Sequence, residues 1–554
     1  MKNFKRLICI VMVLAMSAAL LAGCGNGGTG TPAAGDGAAG GGTPAAGGAA
    51  ADGVAAGGGV AGDTDEFVSR TIGVFNMLGR LYAGMSPPEN HAASDGIFDV
   101  VFRPDLETGE VFSWILEEWY WEDEGHTLIM RMRDDIYFSN GARATSADLL
   151  YSYTSVPGRG APTFAAFPII WEETKALDEW TVQMRFERPW PTIMRTIVYL
   201  INEEWSESVQ WDDQAWLFPV GSGPYFVYQH VPDDRIVLRL RDDYWRTDIS
   251  EYYVDEWIIR FIPDASTLAM ELELGNIHVA GLDSASYSRF LHQGAANVQP
   301  MLRSLGTTIY LNFGMVDAYP LWNDIRLRQA IRLGVNWVEL GEIFYGDRFI
   351  PATSVATSQA RYHVNLPPYE FDQERARTLL AEAGFGPDNP LVLNTTLMES
   401  DRVLAEAFQF YLSQIGVQAN IDFVDVATAI DIWRSQSGND FAFWHAHRGS
   451  PFHELRAGIL YANTTFHSFN FIDDQDFLEA FENMIYSFDE AVVFENAQKV
   501  QQLTYDRYLM IPFAEVPFNI GFRTEMFSED QMDRFAVTTT MIQTSRLGHI
   551  SAWQ

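Results

Sequence analysis

Apolar residues with a two-residue period mark several segments in the first half of this chain. Leu128, Met130 and Met132 follow this period, and it recurs at 182–186, 236–240 and 257–261. Successive side chains of a strand point to opposite faces, so the period is typical of half-buried β-strands. The pattern therefore predicts four strands that each turn one face to a core.

Other segments follow the helical period and carry signals at their ends. Apolar residues within 376–383 lie on one helical face, preceded by Asp372 as a candidate N-cap and followed by Gly384. The segments 404–415 and 337–344 are predicted helices of the same kind. Strands and helices mix without strict alternation, which predicts an α/β or α+β body with several lobes.

Composition narrows the classes of protein that fit. The chain has 554 residues, of which 47% are hydrophobic, enough for several domain-sized cores. The formal net charge of −36 is opposite to the basic footprint of a nucleic-acid binder. No glycine is followed by lysine, so the phosphate-binding loop GxxxxGK[ST] is absent from the sequence.

The first 23 residues have the organisation of an export signal. Three basic residues within the first six positions precede an apolar run at 7–21, which is too short to span a membrane comfortably. Residues 21–24, Leu-Ala-Gly-Cys, resemble the bacterial lipobox, whose cysteine receives a lipid. We expect 1–23 to be a lipoprotein signal peptide and Cys24 to be the lipidated residue; the alternative is an ordinary signal with an incidental cysteine.

A glycine- and alanine-rich segment follows the predicted lipidation site. Residues 25–62 contain 16 glycines and 12 alanines, which cannot repay the entropy of ordering. We expect 24–64 to be a flexible tether with a reach of about 35 Å. Such a tether would hold the body near a membrane and leave it free to turn.

The sequence contains no complete catalytic motif. There is no GxSxG nucleophile elbow, and His453-Glu454 lacks the second histidine that a metalloprotease helix requires. On a strand, His445 and His447 would point the same way, so a metal site is conceivable. Two histidines at a pocket rim are the favoured interpretation, because metal sites need three or four ligands. We therefore predict no catalytic residue, no metal and no cofactor.

Ten short motifs occur in one order along residues 95–520. They include 136–149 (IYFSNGARATSADL), 221–225 (GSGPY), 310–313 (YLNF) and 324–331 (DIRLRQAI). Together they resemble family 5 of the extracellular solute-binding proteins, the peptide/nickel-type receptors of ABC importers. From the residues themselves, Gly141 and Gly223 are expected in turns and Asp324 at a helix N-cap.

The resemblance implies an α/β fold of the periplasmic-binding-protein type, with two lobes, an inserted subdomain and a ligand cleft between the lobes. In this chain the first lobe would comprise 65–98, 203–303 and 510–554. The inserted subdomain would be 99–202 and the second lobe 304–509. Hinge closure of the lobes would enclose the ligand.

The same resemblance implies a set of ligand-binding residues. Trp444, His447, Tyr310 and Asn312 match family segments that face the ligand, and Phe513 and Glu515 lie near a closing segment that borders it. Many peptide-binding members carry an aspartate three residues after the tryptophan, which pairs with the α-ammonium of the peptide. In this chain His447 stands in that place, and an imidazole is a poor partner for an ammonium group.

Four interpretations of the ligand remain open. The chain is a peptide receptor whose amine is bound by another acid, such as Glu515, or a receptor for an oligosaccharide or other uncharged solute. It is otherwise a metal-chelate receptor that uses His445 and His447, or an enzyme or sensor that reuses the fold. Family frequencies favour the peptide receptor, and no motif supports the enzyme.

The resemblance also implies partners and a location. We expect the subunits of an ABC importer permease as partners, membrane attachment through the lipid anchor, no nucleic acid, and a monomer. The expected location is the extracellular face of the cytoplasmic membrane, or the periplasmic space in a host with an outer membrane.

Overall fold

The computed structural model describes the chain between residues 68 and 532, with gaps. The described residues are 68–74, 96–104, 111–154, 168–195, 198–210, 214–246, 254–314, 320–358, 360–424, 432, 439–445, 474–529 and 532. The predicted signal peptide, Cys24, the predicted tether and His447 lie outside these residues.

Seventeen strands lie within the described residues. They are β1 (Ser69–Val74), β2 (Arg103–Pro104), β3 (Val111–Phe112), β4 (Leu116–Glu122), β5 (Thr127–Met132), β6 (Lys175–Ala176), β7 (Thr181–Arg185), β8 (Tyr225–Val231), β9 (Arg235–Leu240), β10 (Glu256–Phe261), β11 (Val279–Gly281), β12 (Val298–Phe313), β13 (Ile350–Pro351), β14 (Val392–Met398), β15 (Gln418–Val424), β16 (Phe441–His445) and β17 (Met510–Arg523). The largest sheet has the order β16-β12-β17-β11-β1-β10-β9-β8, with β13 also paired to β17. A second sheet has the order β4-β5-β7-β6, and β14 pairs with β15 in parallel.

Helices cover the sheets and connect them. They are α1 (Ser146–Thr154), α2 (Glu203–Ser208), α3 (Ala265–Leu274), α4 (Ser284–Gln293), α5 (Ile325–Gly334), α6 (Trp337–Tyr345), α7 (Gln373–Glu382), α8 (Arg402–Gln414), α9 (Gln475–Tyr486) and α10 (Glu490–Asp506). Among the helices of the described residues, none has both the length and the apolar character that crossing a bilayer requires.

The elements predicted from periodicity are confirmed. The four predicted strands are β5, β7, β9 and β10, and the three predicted helices are α6, α7 and α8. The predicted caps are present: the Asp372 side chain accepts a hydrogen bond from the Arg375 backbone N–H at 2.8 Å, and Asp324 accepts one from the Arg326 N–H at 3.0 Å. Each cap satisfies a backbone donor that the first helical turn leaves unpaired.

The two glycines expected in turns are needed for different reasons. Gly141 has a φ of +82°, a left-handed conformation that costs glycine little. Gly223 instead lies against the backbone around Ile97, where an added Cβ would come within 2.6 Å of the Gly96 carbonyl oxygen. The requirement at Gly223 is therefore close approach of two backbone segments, which excludes any side chain.

The two longest strands, β12 and β17, run antiparallel and are shared by two parts of the large sheet. At one end, Ile520 and Phe522 of β17 pack in a core with Ile72 and Ile259. At the other end, β12 pairs with β16, and β17 pairs with β13. The predicted lobe boundaries at 303/304 and 509/510 fall within β12 and at the start of β17; these boundaries remain a prediction.

Candidate ligand-binding site

The register of β16 on β12 brings two predicted site positions together. Tyr310 is the direct partner of Trp444, and Asn312 is the partner of Ala442. Directly opposed residues on antiparallel strands share a face, and their Cβ atoms lie about 5 Å apart. Tyr310 and Asn312 are both buried. The backbone of Trp444 is described and its side chain is not, so the structure assigns Trp444 a position in the sheet.

The end of β16 fixes where the following segment begins. The last residue of the strand, His445, is opposite Ile309 in β12. The segment that contains His447 begins immediately after His445, whose sheet partner Ile309 is the residue next to Thr308 in β12. His447 itself and the rest of this segment lie outside the described residues.

A β-bulge in β17 decides which of its side chains face the same way as Tyr310. Tyr310 pairs with Pro512, whereas Ile309 pairs with Ala514, so Phe513 is an extra residue in β17. Because of this extra residue, Phe513 and Ala514 both point to the face opposite Tyr310. Beyond the bulge, Thr308 pairs with Glu515, which returns Glu515 to the face of Tyr310.

Phe513 packs in the hydrophobic core. Its side chain is 1% exposed, and its ring lies 5.4 Å from that of Trp337 in α6 and 6.2 Å from that of Phe443 in β16. The sequence placed Phe513 beside Glu515 at the edge of the ligand site. The structure separates the two residues, and gives Phe513 a packing role beneath the face that Tyr310 and Glu515 share.

The Glu515 carboxylate is buried and only half satisfied. The residue is 1% exposed, and its Oε1 accepts a hydrogen bond from the Ser358 backbone N–H at 2.6 Å. Its Oε2 has no hydrogen-bond partner within the described part of the chain, and the Thr308 hydroxyl opposite it has none there either. Neither residue forms a hydrogen bond with the other, although they are direct partners in the sheet.

No basic side chain among the described residues forms an ion pair with Glu515. Arg348 precedes β13, whose Ile350 is the other sheet partner of Glu515. The Arg348 guanidinium lies 5.6 Å from the Tyr345 ring centroid, and burial lowers its pKa below the ordinary value. A buried carboxylate without a counter-charge is costly to a fold unless a cation binds it.

Metal ligation finds no support in the described residues. Among them, no group of three or more histidine, cysteine, aspartate or glutamate side chains is arranged to hold a metal ion. The His445 side chain is not described, and His447 and His453 lie outside the described residues.

Sequence reasoning missed Thr308 and Ser358 as parts of this site. Thr308 lies two residues before Tyr310, and the strand period alone would have placed both on one face. Ser358 acts through its backbone N–H, so its side-chain type carries no signal. The pairing of Thr308 with Glu515 depends on the bulge, which the sequence did not reveal.

The fold is of the periplasmic-binding-protein type, as comparison with solved structures shows. The structure matches DppA from Helicobacter pylori in complex with the peptide STSA, with a TM-score of 0.68 and 18% identity over 82% of this chain and 94% of that protein. It also matches NikA from Brucella suis in complex with Fe(III)-EDTA, with a TM-score of 0.68 and 16% identity over 82% of this chain and 95% of that protein. These similarities confirm the predicted α/β fold class.

The amino-acid sequence identifies the family. Residues 110–458 match the family described as "Bacterial extracellular solute-binding proteins, family 5 Middle". The chain belongs to this family, as its motifs predicted. It is 28% identical over 315 residues to a protein of Brucella ovis named as an ABC transporter peptide-binding protein, a match that covers 54% of this chain and 58% of the relative. The chain thus spans less than two thirds of that curated relative.

Proposed function

We propose that this protein is the solute-binding receptor of an ABC importer, and that it captures di- or oligopeptides and delivers them to the permease. The observation that carries this proposal is the family match over residues 110–458. The peptide ligand is supported by the name of the Brucella ovis relative and by the peptide in the Helicobacter pylori structure.

The ligand is proposed to contact the face of β12 that carries Tyr310 and Asn312. Trp444 pairs with Tyr310 in the sheet and Glu515 pairs with Thr308, so aromatic and acidic positions are neighbours. Aromatic residues supply large contact areas for peptide side chains, and an acid suits an amine. His447, in the segment after β16, is proposed to border the same site.

A thermal-shift screen of the full chain tests the ligand class. Peptides, oligosaccharides and metal chelates are compared at equal concentration, each at a range of doses. A ligand at one hundred times its Kd stabilises the folded state by about 2.7 kcal/mol, which raises the melting temperature. Stabilisation by peptides is expected. Stabilisation by oligosaccharides or chelates alone would contradict the proposal.

The receptor is proposed to be a monomer held outside the cytoplasmic membrane by a lipid on Cys24. The support is the order of the sequence features: a basic start, an apolar run and the Leu-Ala-Gly-Cys segment at 21–24. Cys24→Ala should release the protein from membranes, because it removes the residue that would carry the lipid. Membrane and soluble fractions are compared after a salt wash. Retention of the variant in the membrane fraction would contradict the lipid anchor.

A further inference from the structure

We propose that Glu515 and Thr308 form a subsite for a primary ammonium group of the ligand. This inference rests on the proposed function, because it assigns the part of the site that recognises the amine of a peptide. It also identifies the chemistry that replaces the missing aspartate at His447.

The Glu515 carboxylate has one oxygen without a hydrogen-bond partner among the described residues. Glu515 is 1% exposed, and the Ser358 N–H holds its Oε1 at 2.6 Å, which fixes the orientation of the group. The remaining oxygen, Oε2, has no partner within the described residues. A carboxylate can accept about four hydrogen bonds, so this group retains unused acceptor capacity.

Another buried acid in the same chain shows what a purely structural carboxylate looks like. The Asp148 Oδ2 accepts hydrogen bonds from the backbone N–H and the hydroxyl of Thr145, and its Oδ1 accepts one from the Glu203 N–H. Both oxygens of Asp148 are therefore used to join α1 to the start of α2. Glu515 differs in having one oxygen bound and one oxygen available within the described part.

A second unpartnered group, the Thr308 hydroxyl, belongs to the residue that pairs with Glu515 in the sheet. Thr308 is the direct sheet partner of Glu515, is fully buried, and its hydroxyl has no partner among the described residues. An ammonium group offers three donors and no acceptor. It can donate to the Glu515 Oε2 and to the Thr308 Oγ1 together, which satisfies both atoms with one cation. A neutral ligand oxygen would leave the carboxylate charge unpaired.

The register of the strands sets the position of this pair relative to the aromatic residues. The bulge at Phe513 puts Glu515 on the face of Tyr310, and β16 ends opposite Ile309, beside Thr308. The cation subsite is therefore adjacent to the position of Trp444 and to the start of the segment that contains His447. An amine bound at Glu515 would place the rest of a peptide along this face.

The burial of Glu515 also implies an order in which the ligand enters the site and is enclosed. Glu515 is 1% exposed in this structure, so binding of an ammonium group there requires the predicted lobes to open and then to close around it. Such exclusion of water strengthens a charge-assisted hydrogen bond.

The test uses one peptide that the screen identifies, with a free amine and in N-acetylated form, and measures both dissociation constants by calorimetry. The full-length wild-type protein should bind the free-amine form about 10- to 100-fold more tightly. Glu515→Gln should abolish this preference, because the amide carries no charge to pair with the ammonium group. Thr308→Val, which keeps the shape and removes the hydroxyl, should reduce the preference about three- to tenfold.

The melting temperature distinguishes a variant that loses only the amine preference from a variant whose fold is destabilised. Glu515→Gln removes an uncompensated buried charge, so the variant without ligand should melt no lower than the wild type. Asp148→Asn is the matched control: it should lower the melting temperature and leave the amine preference intact. If Glu515→Gln keeps the wild-type preference, or only destabilises the fold, the subsite is refuted while peptide binding stands. If the wild type binds no peptide, the proposed function and the subsite both fail.

Discussion

The imidazole of His278 makes the stability of the folded protein depend on pH. Its Nδ1 accepts a hydrogen bond from the Thr71 backbone N–H in β1 at 2.9 Å. Burial, with smaller contributions from the charges of Arg70 and Arg523, lowers the pKa of His278 to about 4. The folded protein therefore keeps this histidine neutral where the unfolded chain would already be protonated.

This pKa predicts a loss of stability in mild acid. Between pH 6.5 and about 4 the unfolded state binds more protons at this residue, so the free energy of unfolding falls as the pH is lowered. Partial exposure limits the effect to at most about 3 kcal/mol. Chemical unfolding at several pH values measures it. His278→Asn keeps an acceptor for the Thr71 N–H and does not titrate, so its profile should be flatter in this window. An equal slope in both proteins would contradict the assignment.

Elements differ in how far the sequence determines them. The helix α7 could be predicted because its cap, its apolar face and its terminal glycine are all local signals. The bulge in β17 could not be predicted, because the extra residue is defined only by the pairing with β12. Counting by two along β17 puts Phe513 and Glu515 on one face. The bulge separates them, so that Glu515 shares the face of Tyr310 and Phe513 does not.

The N-cap of helix α7 is expected to contribute to the stability of the protein. The Asp372 side chain accepts from the Arg375 N–H at 2.8 Å, and the substitution Asp372→Ala leaves that donor without a side-chain acceptor. The expected cost is about 1 kcal/mol in the free energy of unfolding. Asp372→Asn is the control, since asparagine caps nearly as well. Equal stability of all three proteins in urea would show that the cap contributes nothing.

At the scale of the whole molecule, β12 and β17 are the two long strands that reach both parts of the large sheet. Ten ordered motifs were enough to predict the family and the fold, because they are spread over most of the body. They could not predict the burial of Glu515 or its available oxygen. Those properties depend on Ser358, on the bulge and on the register of β12, which come from separate parts of the chain.

Closure of the predicted lobes is expected to change the size of the molecule. If the ligand is enclosed by rotation about β12 and β17, saturating peptide should decrease the radius of gyration. Small-angle scattering of the Cys24→Ala protein, with and without peptide, measures this change while avoiding detergent. An oligosaccharide that gives no thermal shift is the control. An unchanged radius at saturation would contradict hinge closure.

The most direct test of peptide capture is a calorimetric titration of the full-length protein with a peptide from the screen, followed by mass spectrometry of the recovered peptide. The account predicts saturable binding of one peptide per chain, with the peptide returned chemically unchanged. Cleaved peptide, or saturable binding confined to oligosaccharides or metal chelates, would contradict it.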